Sequence, residues 1–118
     1  MDEIKEMAIK LGESIYHSDL YQSYLYYKNQ VSNKPELQQK IDELKRLQLQ
    51  QGLRRRQGEV ISLEEEENLS NVYSEVALDV DGLGFWESEK QFLTFLADIL
   101  ETVAKQAPVD FSYADNME

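Results

Sequence analysis

Five stretches of this chain repeat apolar side chains every three or four residues. No stretch alternates them with period two for long enough to make a strand. Spacing of this kind gives each segment one oily face, so the segments must pack as helices against helices. Ile4, Met7, Ala8, Leu11 and Ile15 form the first stripe, over about Asp2 to Tyr16. Ser18 or Asp19 can cap a second helix, which carries Leu20, Tyr24, Tyr27 and Val31 and runs to about Ser32. Asn33-Lys34-Pro35-Glu36 opens a third, with Asn33 as the cap and Pro35 in the first turn. Its stripe is Leu37, Ile41 and Leu44, and it reaches Gln51 or continues through Gly52 to Gln57.

Ser62-Leu63-Glu64-Glu65 has the spacing of a capping box, in which Ser62 and Glu65 each bond the other's backbone amide. The fourth helix follows, with Leu69, Val72, Tyr73, Val76 and Val80. Asp81-Gly82-Leu83-Gly84 reads as a break. The fifth helix is then placed at about Phe85 to Gln106, with Phe92, Leu93, Phe95, Leu96, Ile99, Leu100 and Val103 on its apolar side. Pro108 stops it. The spacing predicts that Tyr24, Leu44, Phe95, Leu96 and Ile99 lie in the core. Residues 1–108 are expected to form one helical domain, and the acidic stretch 109–118 a mobile tail.

Two apolar features do not fit a simple bundle. Leu49 and Leu53 fall on the side of the third helix opposite Leu37, Ile41 and Leu44 at 100° per residue. The fifth stripe spans about 160°, against the ~100° of an ordinary surface helix. Both imply a further apolar neighbour, which a small chain can borrow from a second copy.

Charge and composition remove several functions. The 118 residues include 12 basic and 23 acidic side chains, a formal charge of −11. That opposes general binding to nucleic-acid backbone and to anionic membranes. The absence of cysteine excludes disulfides, thiolate nucleophiles and cysteine-held clusters. The start Met1-Asp2-Glu3-Ile4-Lys5 lacks the pattern of a signal peptide, and no apolar run could span a bilayer. A cytoplasmic location is the expectation.

The residues offer little catalytic chemistry. Di-metal helical bundles use Glu-x-x-His, whereas Glu13 precedes the lone His17 by four residues. Glu13, His17 and Asp19 are therefore read as ordinary polar residues. Glu64 to Glu67 point around a helix start, where negative charge is favourable. Tyr24 and Tyr27 fit the buried stripe, while Tyr21 and Tyr26 are surface or interface residues. No cofactor and no metal is expected. Arg54-Arg55-Arg56 is the one strongly basic run. It can complement the dipole at a helix end, meet an acidic protein or contact phosphate. With Leu49 and Leu53 it makes a candidate protein interface, an apolar centre rimmed by arginine.

Three stretches together carry a resemblance: Ser18-Asp19-Leu20-Tyr21-Gln22-Ser23-Tyr24, then Asn33-Lys34-Pro35-Glu36-Leu37-Gln38, then Gly84-Phe85-Trp86-Glu87-Ser88-Glu89-Lys90-Gln91-Phe92-Leu93 leading into Phe95–Leu100. In order and apolar spacing the chain resembles the YlbF/YmcA family of small helical regulators of Gram-positive bacteria. The five stripes with short breaks point to an all-α antiparallel bundle of about five helices, and the resemblance implies that it is built on a long helical hairpin. The resemblance also implies a non-catalytic regulator of competence, sporulation and biofilm formation, acting in protein complexes linked to messenger-RNA processing, and a tendency to oligomerise. The expected partners are proteins, as a homo-oligomer or a hetero-complex with related regulators. Some family members carry cysteines associated with iron–sulfur clusters, and this chain departs from them. The competing readings are an acidic helical chaperone or secretion adaptor, and a small helical enzyme.

Overall fold

The computed structural model describes residues 2–108 and contains five helices. They are α1 (Asp2–Tyr16), α2 (Asp19–Ser32), α3 (Pro35–Arg56), α4 (Leu63–Ala77) and α5 (Val80–Gln106). The tail expected at 109–118 lies outside the described residues.

Local chemistry sets most of the boundaries. The Ser18 side chain accepts from the Tyr21 amide at 3.2 Å and donates to the Ile15 carbonyl at 2.6 Å. It thus ends α1 and starts α2. Ser62 and Glu65 form the expected capping box, with bonds of 3.1 and 3.2 Å. At the end of α3, Gly58 takes a φ of 83°, and the Glu59 and Gly58 amides close back on the Arg54 and Arg55 carbonyls. Asn33 does not cap α3. It ends α2, Lys34 occupies the cap position without a side-chain bond, and Pro35 supplies the preset first turn.

The largest departure from the sequence reading is at the fourth connection. Gly82 and Gly84 lie inside α5, which begins at Val80, while α4 stops at Ala77. The Asp79 carboxylate caps the new helix by accepting from the Asp81 and Gly82 amides at 2.8 and 3.2 Å. The glycines serve close approach. A Cβ on Gly82 would collide with the backbone carbonyl of Val76, and one on Gly84 with the ring of Tyr27.

The core lies where α2, α3, α4 and the first half of α5 converge. Val31, Leu37, Ile41, Leu44, Leu47, Val72, Val76 and Phe85 are buried there, with Tyr24, Tyr27, Leu69 and Trp86 packed against them. Tyr24 stacks on Phe85 and Phe92, at centroid distances of 6.0 and 5.6 Å. Lys34 fastens this end from outside. Its ammonium lies 3.2 Å from Asp79 and 3.0 Å from Asp81, tying the α2–α3 turn to the α4–α5 turn.

The core covers less of α5 than its stripe suggested. At 27 residues α5 is about 40 Å long, whereas the 14 residues of α2 reach only about 21 Å. Gly82, Phe85, Ser88 and Phe92 are buried, but Phe95, Leu96 and Ile99 are half-buried, and Leu93, Leu100 and Val103 are exposed. Leu44 is fully buried as expected, and Tyr24 is half-buried. None of α1 is buried. The result is a thin, spread shape of 51 × 39 × 18 Å. Its radius of gyration is 18.5 Å, against about 13 Å for a compact chain of this length.

These features predict three outcomes. Ile41→Ala should cost about 2–5 kcal/mol in urea unfolding, because Ile41 is fully buried. Leu100→Ala should stay within about 0.5 kcal/mol of the wild type, since Leu100 is exposed. Alanine normally stabilises a helix interior over glycine by about 0.5–1 kcal/mol. Gly12→Ala and Gly52→Ala should show that gain, because an added Cβ meets nothing there within 4 Å. Gly82→Ala should reverse it and lose about 1–3 kcal/mol. Gly84→Ala should lose less, since a ring can swing where a backbone carbonyl cannot.

Acid should loosen the clasp. Partial desolvation raises the Asp79 carboxyl, but Lys34 and the Gly82 and Asp81 amides outweigh it and hold it below its ordinary value. Glu65 is held low by Arg54 and then by the Ser62 amide. A carboxylate depressed on folding contributes stability above its ordinary value and loses it as pH falls through the folded value. The urea midpoint should therefore drop below about pH 4. The gap between wild type and Asp79→Asn should narrow over the same range. Lys34 and Arg54 are raised by their carboxylate partners, so their contribution fades only under alkaline conditions.

Candidate protein-binding surfaces

The five residues singled out on α3 divide into two sets. Leu49 is 66% exposed and Leu53 48%, on the side of α3 away from the core. Two of the three arginines are paired with carboxylates. Arg54 bonds Glu59 through Nε at 2.7 Å and Glu65 through Nη1 at 2.9 Å. Arg55 reaches Glu66 at 3.5 Å. Arg56 is exposed, with no carboxylate in reach among the described residues. The run thus fastens the end of α3 to the first turn of α4. Glu65 both caps that turn and receives Arg54.

Gln51 completes the same fastening from inside. It is 4% exposed and its amide donates to the Glu65 carbonyl at 3.1 Å. Its own oxygen has no protein partner. A cavity of about 120 Å³ beside it is lined by Leu47, Gln50, Arg54 and Asn68, which is room for water.

Two other surfaces escape a reading by segments. The first is a cleft between α3 and α5. It has a volume of about 740 Å³ and is lined by Lys45, Leu49, Trp86, Lys90, Leu93 and Ala97, among others. Lys45 bridges its base, 2.8 Å from Glu89 and 5.1 Å above the Phe85 ring. The second is the bare stripe of α1, where Ile4 and Met7 are each 70% exposed. The amphipathic pattern of α1 was legible. That nothing would cover it was not, because that depends on where α2 sends the chain.

Glu13, His17 and Asp19 are exposed. Tyr21, left open as surface or interface, packs its ring against Phe92 at 5.1 Å. Tyr26 is exposed. Among the described residues no group of three or more histidines or carboxylates is placed to hold a metal ion, and no helix is long and apolar enough to cross a membrane.

The chain is similar to the UPF0342 protein STH1710 of Symbiobacterium thermophilum, 23% identical over 106 residues, which is 90% of this chain and 95% of that protein. No solved structure matches. The family described as control of competence regulator ComK, YlbF/YmcA, matches residues 4–106. Nearly the whole chain is covered by that match, and it belongs to the YlbF/YmcA family.

Proposed function

We propose that the chain is a cytoplasmic, non-catalytic regulatory adaptor that acts through protein–protein complexes. Its own copies or related regulators are the partners, without direct contact to nucleic acid or membrane. The apolar surface left bare on α1, on the outer half of α5 and in the α3–α5 cleft carries this reading. Isolated exposed leucines are ordinary, whereas contiguous apolar faces mark binding surfaces. Membership of a family named for control of a competence regulator supplies the regulatory context. Competence is the first process to examine. Sporulation, biofilm formation and messenger-RNA processing follow from the likeness to the family.

Leu49 and Leu53, with Arg56 at their edge, belong to the proposed contact surface. Arg54 and Arg55 support it by holding the end of α3 in place. The test is genetic and biochemical together. Deleting the gene in its host should change ComK-dependent expression, and the wild-type chain should restore it. Leu49→Glu with Leu53→Glu should leave the helical circular dichroism spectrum unchanged, because both side chains are exposed. The same pair should lose both restoration and the co-purified partner. Unchanged competence, sporulation and biofilm phenotypes on deletion would overturn the reading. A crowd of unfolded clients in place of a defined complex would favour the chaperone alternative.

A further inference from the structure

Gln51 stands where the stripe of α3 calls for an apolar side chain. Leu37, Ile41, Leu44 and Leu47 are buried along that stripe, and Gln51 continues it four residues beyond Leu47. It is 4% exposed, so its carboxamide needs partners inside the protein. The nitrogen has one and the oxygen has none. We propose that the cavity of about 120 Å³ beside it is a built hydration site, whose innermost water donates to Gln51 Oε1 and completes the joint between α3 and α4. The site rests on that joint alone and stands whether or not the chain is an adaptor.

The orientation of the carboxamide is fixed by its one partner. Nε2 donates to the Glu65 backbone carbonyl at 3.1 Å. Turning the group over would set Oε1 against that carbonyl and lose the bond. The walls of the cavity do not supply the missing donor. Arg54 directs Nε to Glu59 at 2.7 Å and Nη1 to Glu65 at 2.9 Å. Drawing the guanidinium onto Oε1 would break the ion pair that holds Glu65 at the start of α4, where it also closes the capping box with Ser62. Gln50 and Asn68 are exposed, so their amides have bulk water as a partner.

The chemistry of the walls selects the occupant. Gln51 Oε1 and the Glu65 carboxylate accept, whereas the Arg54 guanidinium and the Asn68 amide nitrogen donate. An anion would face Glu65 and the bare oxygen, and a cation would face Arg54. An apolar guest would leave Oε1 without a donor, which is the costly outcome for a buried acceptor. A neutral molecule that both donates and accepts satisfies every wall, and water is the smallest. One water needs only about 10–15 Å³ of such a cavity, so the site holds several. The inner one meets Gln51, and the others link it to the polar side chains and to solvent.

Oxygen-17 magnetic relaxation dispersion counts waters held inside a protein, because surface water exchanges too fast to contribute. The wild type should show an amplitude larger than that of Gln51→Leu by at least one long-lived water. Leu100→Ala, changed at an exposed site, should keep the wild-type amplitude. Gln51→Met serves the same comparison should the leucine variant not fold. A crystal structure of the wild type needs no variant, and it should place ordered water about 2.5–3.0 Å from Gln51 Oε1. Equal amplitudes in the wild type and a folded Gln51 variant would overturn the proposal. So would a crystal structure with a dry cavity, with an ion in it, or with the Gln50, Arg54 or Asn68 side chain turned onto Oε1.

Discussion

The crossing of α2 over the start of α5 governs the rest of the molecule. Gly84 lets the Tyr27 ring lie directly on the α5 backbone, and Gly82 lets the Val76 carbonyl approach from the other side. With the backbones that close, Tyr24 can stack between Phe85 and Phe92. The same approach brings Asp79 and Asp81 within reach of Lys34 across two turns. Alanine at either position would favour a helix locally and oppose this fold globally. The contact opposes the local preference most strongly at Gly82, where a backbone carbonyl cannot give way, and less at Gly84, where the obstacle is a ring.

Charge is used differently at the two ends of the core. Near the crossing, one lysine gathers two carboxylates and locks the turns on which the packing depends. At the other end, Arg54, Glu65, Ser62 and Gln51 join the last turn of α3 to the first turn of α4. Exposed ion pairs contribute little singly. Their role here is register: they set which turn of α3 faces which turn of α4, and so which leucines face away from the core. That leaves Leu49 turned toward the cleft.

Much of this was readable in advance where the cause is local. The five stripes, the Ser18 and Ser62 caps and the proline at the start of α3 each depend on residues within one turn. The outward face of Leu49 and Leu53 also followed from angular arithmetic, and both are exposed. The failures share a cause of another kind. Gly82 and Gly84 look like a break because glycine usually is one, and only a neighbour 57 positions upstream, Tyr27, explains Gly84 as a contact. The pairing of Arg54 with Glu65 and of Arg55 with Glu66 was not visible, because those partners lie beyond a turn in α4. Phe95, Leu96 and Ile99 looked like core because a stripe shows which side is apolar and not how far its cover extends. The cleft had no signal at all, since its walls come from segments 40 residues apart.

The thin shape has a consequence for how such a protein can diverge. Stability resides in the convergent half, where Ile41, Leu44, Val31 and Val76 are sealed from water. The helix at the N-terminus and the outer turns of α5 add almost nothing to that interior. Segments with so few buried contacts are the ones expected to open at the lowest cost. Sequence drift there is nearly free of folding penalty. A scaffold with that division can acquire new recognition surfaces while keeping its architecture, and two descendants can come to prefer each other over themselves by a few side-chain changes.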